Sequence, residues 1–458
     1  MDVFTLYYLV ASIIMLMTLW NYRQSMFAVL IILMAFSGTI AYWVPRGMQA
    51  MNVITVLLST YLFIQKQVWR EFQYFRYLVI FFIVFTLYFV CDGLLFHADS
   101  VLFVFSQYSK YYVPILCLFL FIHYARKDTN YLYYFNQLIG YLLLIQVGIS
   151  VYKYLLFDGH YWEGMVGTFG RLKGGGAGTS FPLVALCWVA INSNMDIRKW
   201  KSWLFIAGLL LLGIAAGKRA VILLFPILII ILSMYVCKKK YSNRVWIIIA
   251  AAPLLFYLGV RLTPTFNPEN KVWGSFDLDY MFNYTENYAM GKVEEGEERK
   301  EYKGRVGSAL AFWEIFKTTE NYTLKTLLGE GLERAYSTIE IGDDYDEFHN
   351  AYTQFGKDYG LNHRGDITGI LMLYIAIGIV GVVLFIVYYW FLFKLVKYNR
   401  LRIVLLALVM FDFIFYNSFS IREPVVSLLM MFVIVYSRIQ YSPRGKYSMV
   451  VHPIFRNK

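Results

Sequence analysis

The sequence has few charged residues, and this shortage decides its broad class. Asp, Glu, Lys and Arg make up 16% of the 458 residues, hydrophobic residues make up 59%, and the mean hydropathy is +0.53. A soluble domain is usually about 25% charged and about 45–50% apolar. The composition therefore excludes an ordinary soluble domain and predicts an all-α polytopic membrane protein.

Cysteine and histidine are also scarce, with four cysteines and six histidines in the chain. The cysteines lie within or at the end of apolar runs, without the spacing of disulfide pairs or metal ligands, which favours a packing role. They are Cys91, Cys117, Cys187 and Cys237. Asp-x-Asp occurs only at 277–279 and at 344–346. No metal and no other cofactor is predicted.

The sequence also lacks the features of a cleavable signal peptide and of a nucleic-acid-binding surface. The first apolar run has no basic region before it and no small-residue cleavage site after it, so residues 3–20 are predicted to be a first span. The net charge of +12 is not accompanied by an aromatic-basic signature of RNA or DNA binding. Nucleic acid is therefore not a predicted partner, whereas the lipid bilayer is.

Long apolar runs fill most of the sequence. Several approach the lower length limit for a span of about 17 residues, so twelve to fourteen transmembrane helices are predicted. The runs lie at 3–20, 26–44, 49–65, 77–97, 101–124, 132–157, 181–193, 202–217, 219–237, 245–262, 367–393, 402–418 and 423–440. They divide the chain into a transmembrane bundle (1–262), a large loop (263–366), C-terminal spans (367–440) and a tail (441–458).

Lysine and arginine in the short loops predict the orientation. Basic clusters occupy alternate loops, at 65–76, 126–128, 196–201, 238–244 and 397–402. The positive-inside rule assigns these loops and the C-terminal tail to the cytoplasm. The protein is thus predicted to be a multi-pass protein of the cytoplasmic membrane, with the large loop outside.

Two predicted outer loops carry unusual sequence. The stretch 157–181 is rich in glycine, and the stretch 263–365 holds 19 acidic and 11 basic residues. An acidic outer segment beside a basic membrane body fits the charge rule. Within the large loop, 306–319 and 324–336 have apolar residues at helical spacing, so a helical extracytoplasmic loop is predicted.

The glycine-rich loop holds the first candidate site. Arg171 and Lys173 precede a run of three glycines and the next span. Glycines let backbone N–H groups approach a phosphate, and the two cations would neutralise it. The competing interpretation is a flexible loop with chance charges, because a glycine run alone is weakly specific.

The second candidate site lies in a tight turn between two apolar runs. Lys218 and Arg219 occupy this turn at the predicted outer surface, where the charge rule disfavours cations. Charges at such a place mark functional sites unless they snorkel to lipid phosphates, which is the alternative for Lys218.

The last candidates lie in the large loop. Arg305 precedes an apolar helical pattern, and read alone it is a solvated residue. His349, His363, Arg364 and Asp366 gather just before the next span. A neutral histidine can accept a hydroxyl proton while a carboxylate orients it, although each histidine singly fits a structural role. Several arginines on one face would bind a diphosphate through bidentate contacts.

These motifs, in this order, resemble the bacterial O-antigen polymerase and O-antigen ligase superfamily of membrane glycosyltransferases. The resemblance covers about residues 140–395 and rests on four quoted stretches: "GTFGRLKGGGAGTSF", "AAGKRAVILLF", "GRVGSALAFWEIF…LLGEGLE" and "HN" followed by a glycine. In the last, His349 and Asn350 precede Gly360. "LNHRGD" intervenes before the next span, so either His349 or the pair His363 and Asp366 could match the catalytic region.

The resemblance implies a metal-independent transfer of glycan from an undecaprenyl diphosphate carrier, at the outer face of the bacterial cytoplasmic membrane. A polymerase would extend a surface polysaccharide such as O-antigen, capsule or exopolysaccharide, alongside other assembly proteins. His349, His363 and Asp366 would act in catalysis, with Asn350 and Gly360 in support. The diphosphate-binding residues would be Arg171, Lys173, Lys218, Arg219, Arg305 and Arg364.

Two other functions compete with the polymerase. A ligase would move the finished glycan to lipid A core or to protein. A transporter or flippase of lipid-linked oligosaccharide would favour broken helices and ionisable groups at mid-membrane. Asp92 and Asp412 are the main such groups in the apolar runs, and a large structured outer loop favours surface chemistry instead.

Overall fold

A computed structural model gives the fold of the protein. It describes residues 3–44, 47–96, 101–156, 167–168, 177–193, 200–216, 218–236, 242–290, 313, 316–318, 320–331, 368–396, 399–415, 424–437, 440–441 and 447–448.

Nearly all of these residues are helical. The first helices are α1 (Val3–Tyr22), α2 (Met26–Ala35), α3 (Ser37–Trp43), α4 (Gly47–Gln65), α5 (Arg76–Phe96), α6 (Val101–Lys127) and α7 (Thr129–Leu156). Next come α8 (Ala177–Ser193), α9 (Trp200–Ala215), α10 (Arg219–Val236), α11 (Ser242–Leu262) and α12 (Leu278–Met290). The last are α13 (Tyr322–Leu328), α14 (Gly369–Phe393), α15 (Asn399–Phe415) and α16 (Pro424–Tyr436).

The remaining regular elements are short. Two 3₁₀ helices occupy Val68–Tyr74 and Pro264–Phe266. Strand β1 (Gln440–Tyr441) pairs antiparallel with β2 (Tyr447–Ser448). This two-residue ladder, which begins at the last residue of the predicted final span, is the one departure from the all-α prediction among the described residues.

The helices follow the apolar runs of the sequence, and the chain is an all-α membrane protein. Within the described residues, three helical segments are long and apolar enough to cross a membrane, namely Val3–Tyr22, Asn130–Lys153 and Leu373–Phe393. The bent pair α2 and α3 makes a fourth when it counts as one span. Six shorter apolar helices accompany them. The count of twelve to fourteen spans, the four-part division and the orientation stay predictions.

Three helices form the centre of the bundle, because they are apolar on every side. Residues 113–122 of α6, 181–190 of α8 and 425–435 of α16 are buried almost without exception. Helix α16 packs on both α6 and α8. By contrast, α1 exposes one apolar stripe, made by Leu9, Ile13, Leu16, Met17 and Trp20. A stripe of this kind at helical spacing is what a peripheral helix presents to lipid.

One ion-pair network joins two of the loops that were predicted to share a side. Glu71, in the first 3₁₀ helix, forms an ion pair with Arg126 and lies 3.2 Å from His123 Nδ1, both at the end of α6. Segments 65–76 and 126–128 therefore lie at the same end of the bundle. Which side of the membrane this end faces stays a prediction.

The large loop differs from its prediction in detail. The stretch predicted to be helical at 324–336 forms α13, which ends at Leu328 and gives way to Gly329 with a φ of +85°. Of the stretch 306–319, Trp313 and residues 316–318 are described, and they are helical. Helix α12 was not predicted at all, because its tyrosines and asparagines hide its apolar spacing.

Candidate functional site

Two membrane helices that the sequence predicts as continuous runs are broken. Within 26–44, helices α2 and α3 meet at Phe36 with a bend of 70°. Within 367–393, Gly378 adopts a φ of +63° and a ψ of −173°, which is not helical. A break leaves backbone N–H and C=O groups without helical partners, and such groups are costly away from water. The hydrogen-bond partners of these backbone groups therefore show which other segments stabilise each break.

Thr168, from the glycine-rich loop, forms hydrogen bonds with backbone groups that the first break leaves without helical partners. Its hydroxyl donates to the Ala35 carbonyl (2.7 Å), and its own carbonyl accepts from the Gly38 N–H (2.9 Å). Gln146 of α7 holds it in place, because Gln146 Oε1 accepts from the Thr168 N–H (2.7 Å) and Gln146 Nε2 donates to the hydroxyl (2.8 Å). A loop residue thus completes the hydrogen bonding of a broken helix.

Replacing Thr168 with Val tests this contact. The substitution keeps the shape but removes the hydroxyl, so the free energy of unfolding should fall by about 1–3 kcal/mol because a buried carbonyl loses its strong donor. The melting temperature of the purified protein in detergent measures the effect. Thr18→Val is the matched control, since its hydroxyl donates only to the Ile14 carbonyl one turn earlier in α1. An equal response of both variants would contradict the prediction.

A polar face of α7 lies beneath this contact. Gln146, Ser150 and Lys153 follow one another at helical spacing, and all three are buried. Lys153 is 1% exposed, with Nζ 5.5 Å from the centre of the Tyr7 ring. The Tyr7 hydroxyl in turn donates to the Gly167 carbonyl (2.9 Å). Gly167 and Thr168 are therefore held beside the buried side chains of Gln146 and Lys153.

The segment after α13 forms hydrogen bonds with backbone carbonyls that the second break leaves without helical partners. The N–H groups of Glu330 and Gly331 donate to the carbonyls of Ile375 (2.6 Å) and Ala376 (3.1 Å). The hydroxyl of Tyr88, in α5, donates to the Ile377 carbonyl (2.8 Å). All three carbonyls precede Gly378, where a continuous helix would use them itself. The "GEG" stretch of the large loop is thus joined to a membrane helix.

Glycine is required on both sides of this contact. Gly329 has a φ of +85°, and an added Cβ would lie 2.6 Å from the Gly378 N and 2.7 Å from the Ala376 carbonyl. A Cβ on Gly378 would meet the backbone of Leu327 and Leu328. The two segments therefore approach backbone to backbone, as only glycines allow.

Ionisable side chains lie near the second break. The Glu330 carboxylate is 4% exposed and lies 3.2 Å from Lys325 Nζ, one turn back in α13. Asp92 stands one turn beyond Tyr88 in α5 and is also 4% exposed. Its carboxylate oxygens have no hydrogen-bond partner in the part of the chain that the structure describes. An ionisable group in a membrane helix is a functional candidate by default.

A third buried contact joins α8 to α15. The Ser180 hydroxyl donates to the Asp412 carboxylate, and Asp412 is 1% exposed. Ser180 lies in the first turn of α8, directly after the glycine-rich loop, while Asp412 lies near the end of α15. This bond places the start of α8 and the end of α15 at the same level of the bundle.

Lys218 and Arg219 lie where α9 turns into α10. The Lys218 N–H donates to the Gly213 carbonyl (3.0 Å), and the Lys218 carbonyl accepts from the Val221 N–H (2.9 Å). The Lys218 side chain is half-buried and forms no ion pair with any residue that the structure describes. Arg219 begins α10. Because α8, α9 and α10 run up and down in succession, this turn lies at the same end of the bundle as Ser180.

The other predicted site residues lie outside the described part of the chain. They are Arg171, Lys173, Arg305, His349, Asn350, Gly360, His363, Arg364 and Asp366. Their roles stay predictions, and so does a metal-free reaction. Sequence reasoning missed Thr168, Gln146 and Lys153. Of these, Lys153 left a signal, because it is an ionisable residue inside an apolar run.

Comparisons of the chain with protein-family models, with curated proteins and with solved structures gave no match.

Proposed function

We propose that the protein polymerises undecaprenyl-diphosphate-linked oligosaccharide repeat units into a surface polysaccharide, at the outer face of the cytoplasmic membrane. The observation that carries the proposal is that two loops each form hydrogen bonds to the backbone of a broken helix. Two of the loops that supply motifs of the resemblance complete the backbone hydrogen bonding of a membrane helix, through Thr168 and through Glu330 with Gly331. Motif-bearing loops held in this way can present charges at fixed positions.

The geometry suits a diphosphate leaving group. Arg171 and Lys173 follow Thr168 by three and five residues, so a chain of that length keeps their Cα atoms within about 18 Å of the Thr168 Cα. Lys218 adds a cation without an ion pair in the described part of the chain, at the end of the bundle where α8 begins. Glycosyl transfer develops negative charge on the departing diphosphate, and preorganised cations lower that barrier.

Chain extension by the purified protein tests the proposal directly. Lipid-linked repeat units of the host should be converted to a ladder of longer glycans, resolved on a gel. Transfer to lipid A core without a ladder would show a ligase instead. Absence of any transfer by folded protein, with all repeat units recovered unchanged, would sink the glycosyltransferase proposal.

A transporter of lipid-linked oligosaccharide is the second candidate, and a specific observation favours it. Broken helices at membrane depth are typical of transporter sites, and the breaks at Phe36 and Gly378 are of this kind, with Lys153 and Asp92 buried nearby. Protein in sealed vesicles should then move labelled lipid-linked oligosaccharide between leaflets without lengthening it.

Substitution of Arg219 separates charge from geometry in the proposed enzyme. Arg219→Ala should reduce the rate of chain extension by about 10²–10³-fold, the usual cost of one donor to a developing anion. Arg219→Lys keeps the charge but loses the planar fork, so extension should still be impaired. Arg23→Ala is the matched control, because Arg23 is an exposed cation over the Trp20 ring at the end of α1. Full extension by Arg219→Ala at normal protein level would remove Arg219 from the mechanism.

A further inference from the structure

The segment after α11 is a fixed loop that projects aromatic side chains outward. The buried amide of Asn267 donates to the carbonyls of Thr263 (3.0 Å) and Lys271 (2.9 Å) and accepts from the Lys271 N–H (3.1 Å). Glu269 Oε2 accepts from the N–H and the hydroxyl of Ser275, each at 2.9 Å. These two bonds lower the pKa of the Glu269 carboxyl. The loop is therefore held by its own hydrogen bonds.

Trp273 of this loop adopts a strained backbone conformation. Its φ of +68° lies in the left-handed region, which costs a residue other than glycine about 1–3 kcal/mol. The strain is maintained by Arg261, which exchanges two bonds with Gly274: the Gly274 N–H donates to the Arg261 carbonyl (3.0 Å), and Arg261 Nε donates to the Gly274 carbonyl (2.8 Å). Although it is held so firmly, the Trp273 side chain is 52% exposed.

An arginine stacks behind this tryptophan. The Arg261 guanidinium lies 4.6 Å from the centre of the Trp273 ring, and its Nη1 donates to the Tyr257 hydroxyl (2.9 Å). Tryptophan and tyrosine beside a long cation form the usual belt at the boundary between lipid and water.

Exposed apolar side chains continue on both sides of Trp273. They form an interfacial patch that consists of Val272, Trp273, Phe276, Leu278 and Phe282. The last two belong to α12, on the same side of that helix as the buried Met281. The exposed polar residues Asp279, Asn283 and Asn287 lie on the other side of the helix. Helix α12 is therefore amphipathic, with part of its apolar side uncovered.

The interfacial patch is continuous with an exposed stripe of α11. That stripe is made by Trp246, Ala250, Pro253, Leu254 and Tyr257, which recur at helical spacing. Its last member contacts the patch, because the rings of Tyr257 and Phe276 lie 5.1 Å apart. An apolar stripe along a membrane helix faces lipid, and the patch extends this surface at its end.

We propose that the interfacial patch lies in the boundary between the headgroups and the acyl chains of the membrane, so that α12 rests on the bilayer surface. The occupant is the lipid bilayer itself, of any headgroup charge, because the exposed side chains are apolar and the flanking charges of α12 are acidic. The inference does not depend on the proposed polymerase activity. It fixes the first part of the large loop against the membrane.

Bimane fluorescence at single cysteines tests the proposal in the full chain. Phe282→Cys and Asn287→Cys are made in a background in which the four native cysteines are replaced by Ala. Each variant is labelled with bimane and reconstituted in phosphatidylcholine vesicles, with or without acyl-chain nitroxide lipid. Position 287 lies about 140° around the helix from position 282. The nitroxide lipid should quench bimane at 282 about threefold more than at 287, because an interfacial helix buries its apolar side about 5–10 Å deep. Aqueous iodide should show the opposite order.

Two outcomes overturn the proposal. Equal quenching by iodide at both positions means that the patch is in water. Shielding of position 282 from iodide without lipid quenching means that a protein surface, such as a second copy of the chain, covers it.

Wild-type protein gives an independent readout: in vesicles of phosphatidylcholine with an acyl diazirine, photolysis should attach lipid to Trp273 or Phe282, as mass spectrometry can show. Absence of lipid adducts from residues 272–282, with adducts present on α11, also overturns it.

Discussion

Gly378→Ala should lower the melting temperature of the purified protein more than any other single methyl addition to a described glycine. The backbone at Gly378, with φ +63° and ψ −173°, lies in a region that is almost restricted to glycine. The added Cβ would also press into the backbone of Leu327 and Leu328, which cannot rotate away. Strain and overpacking together predict a loss of about 2–6 kcal/mol.

The same substitution should separate the large loop from the bundle. A shift of Gly378 would take the carbonyls of Ile375 and Ala376 away from the N–H groups of Glu330 and Gly331. Limited proteolysis of the loop should therefore accelerate together with the fall in melting temperature. Chain extension, if the proposed activity is right, should fall as well.

Gly148→Ala is the matched control for this experiment. Gly148 lies inside α7, and a Cβ added there meets nothing within 4 Å. Its melting temperature should equal or slightly exceed that of the wild type, since alanine favours helix more than glycine does. A Gly378→Ala protein that melts together with Gly148→Ala would show that the helix is not broken at Gly378.

Hydropathy predicted the helices well and the breaks badly, for a physical reason. A run such as 26–44 is apolar because its side chains face lipid or other helices, and this holds whether or not the backbone bends at Phe36. The bend depends on Thr168, more than a hundred residues away, which supplies the donor and the acceptor that the broken helix lacks. Contacts of this kind leave no periodic trace in the sequence.

The two breaks differ in how far they could be predicted. "IAIGIVG" contains Gly378 and Gly381, and glycines are frequent in membrane helices, so Gly378 alone does not signal a break. The "GEG" stretch at 329–331 is a stronger signal, because a glycine pair after a helical pattern predicts a turn that approaches another backbone. Its partner, however, follows only from the fold.

The roles of the predicted site residues stay predictions, and for Lys218 only its place in the fold can be compared with the sequence. Lys218 lies at a helix turn without an ion pair in the described part of the chain, as its position in the sequence suggested. The buried face of Gln146 and Lys153 was missed, because two polar residues seven apart in an apolar run change its mean hydropathy little. The roles of His349 and the large-loop arginines stay predictions, since these residues lie outside the part of the chain that the structure describes.

Substitution of His349 with Ala should reduce the rate of chain extension by about 10²–10⁴-fold, which is the usual contribution of a general base. A neutral imidazole can take the proton of the acceptor hydroxyl as the new bond to the sugar forms. The residues proposed to bind the diphosphate are unchanged, so the variant should keep its affinity for the lipid-linked donor. Chain length on a gel measures the rate, and equilibrium binding of the labelled donor measures the affinity.

His363→Ala decides which histidine acts, and His452→Ala is the control. If His349 is the base, His363→Ala should still extend chains at least moderately. An inactive His363→Ala together with an active His349→Ala would instead assign the role to His363. Asp366, three residues further on, would then be its orienting partner. His452 lies in the predicted cytoplasmic tail, on the side away from the proposed site, so its loss should leave the ladder unchanged. Wild-type ladders from both His349→Ala and His363→Ala would end the histidine-base hypothesis and leave a mechanism in which cations alone stabilise the departing diphosphate.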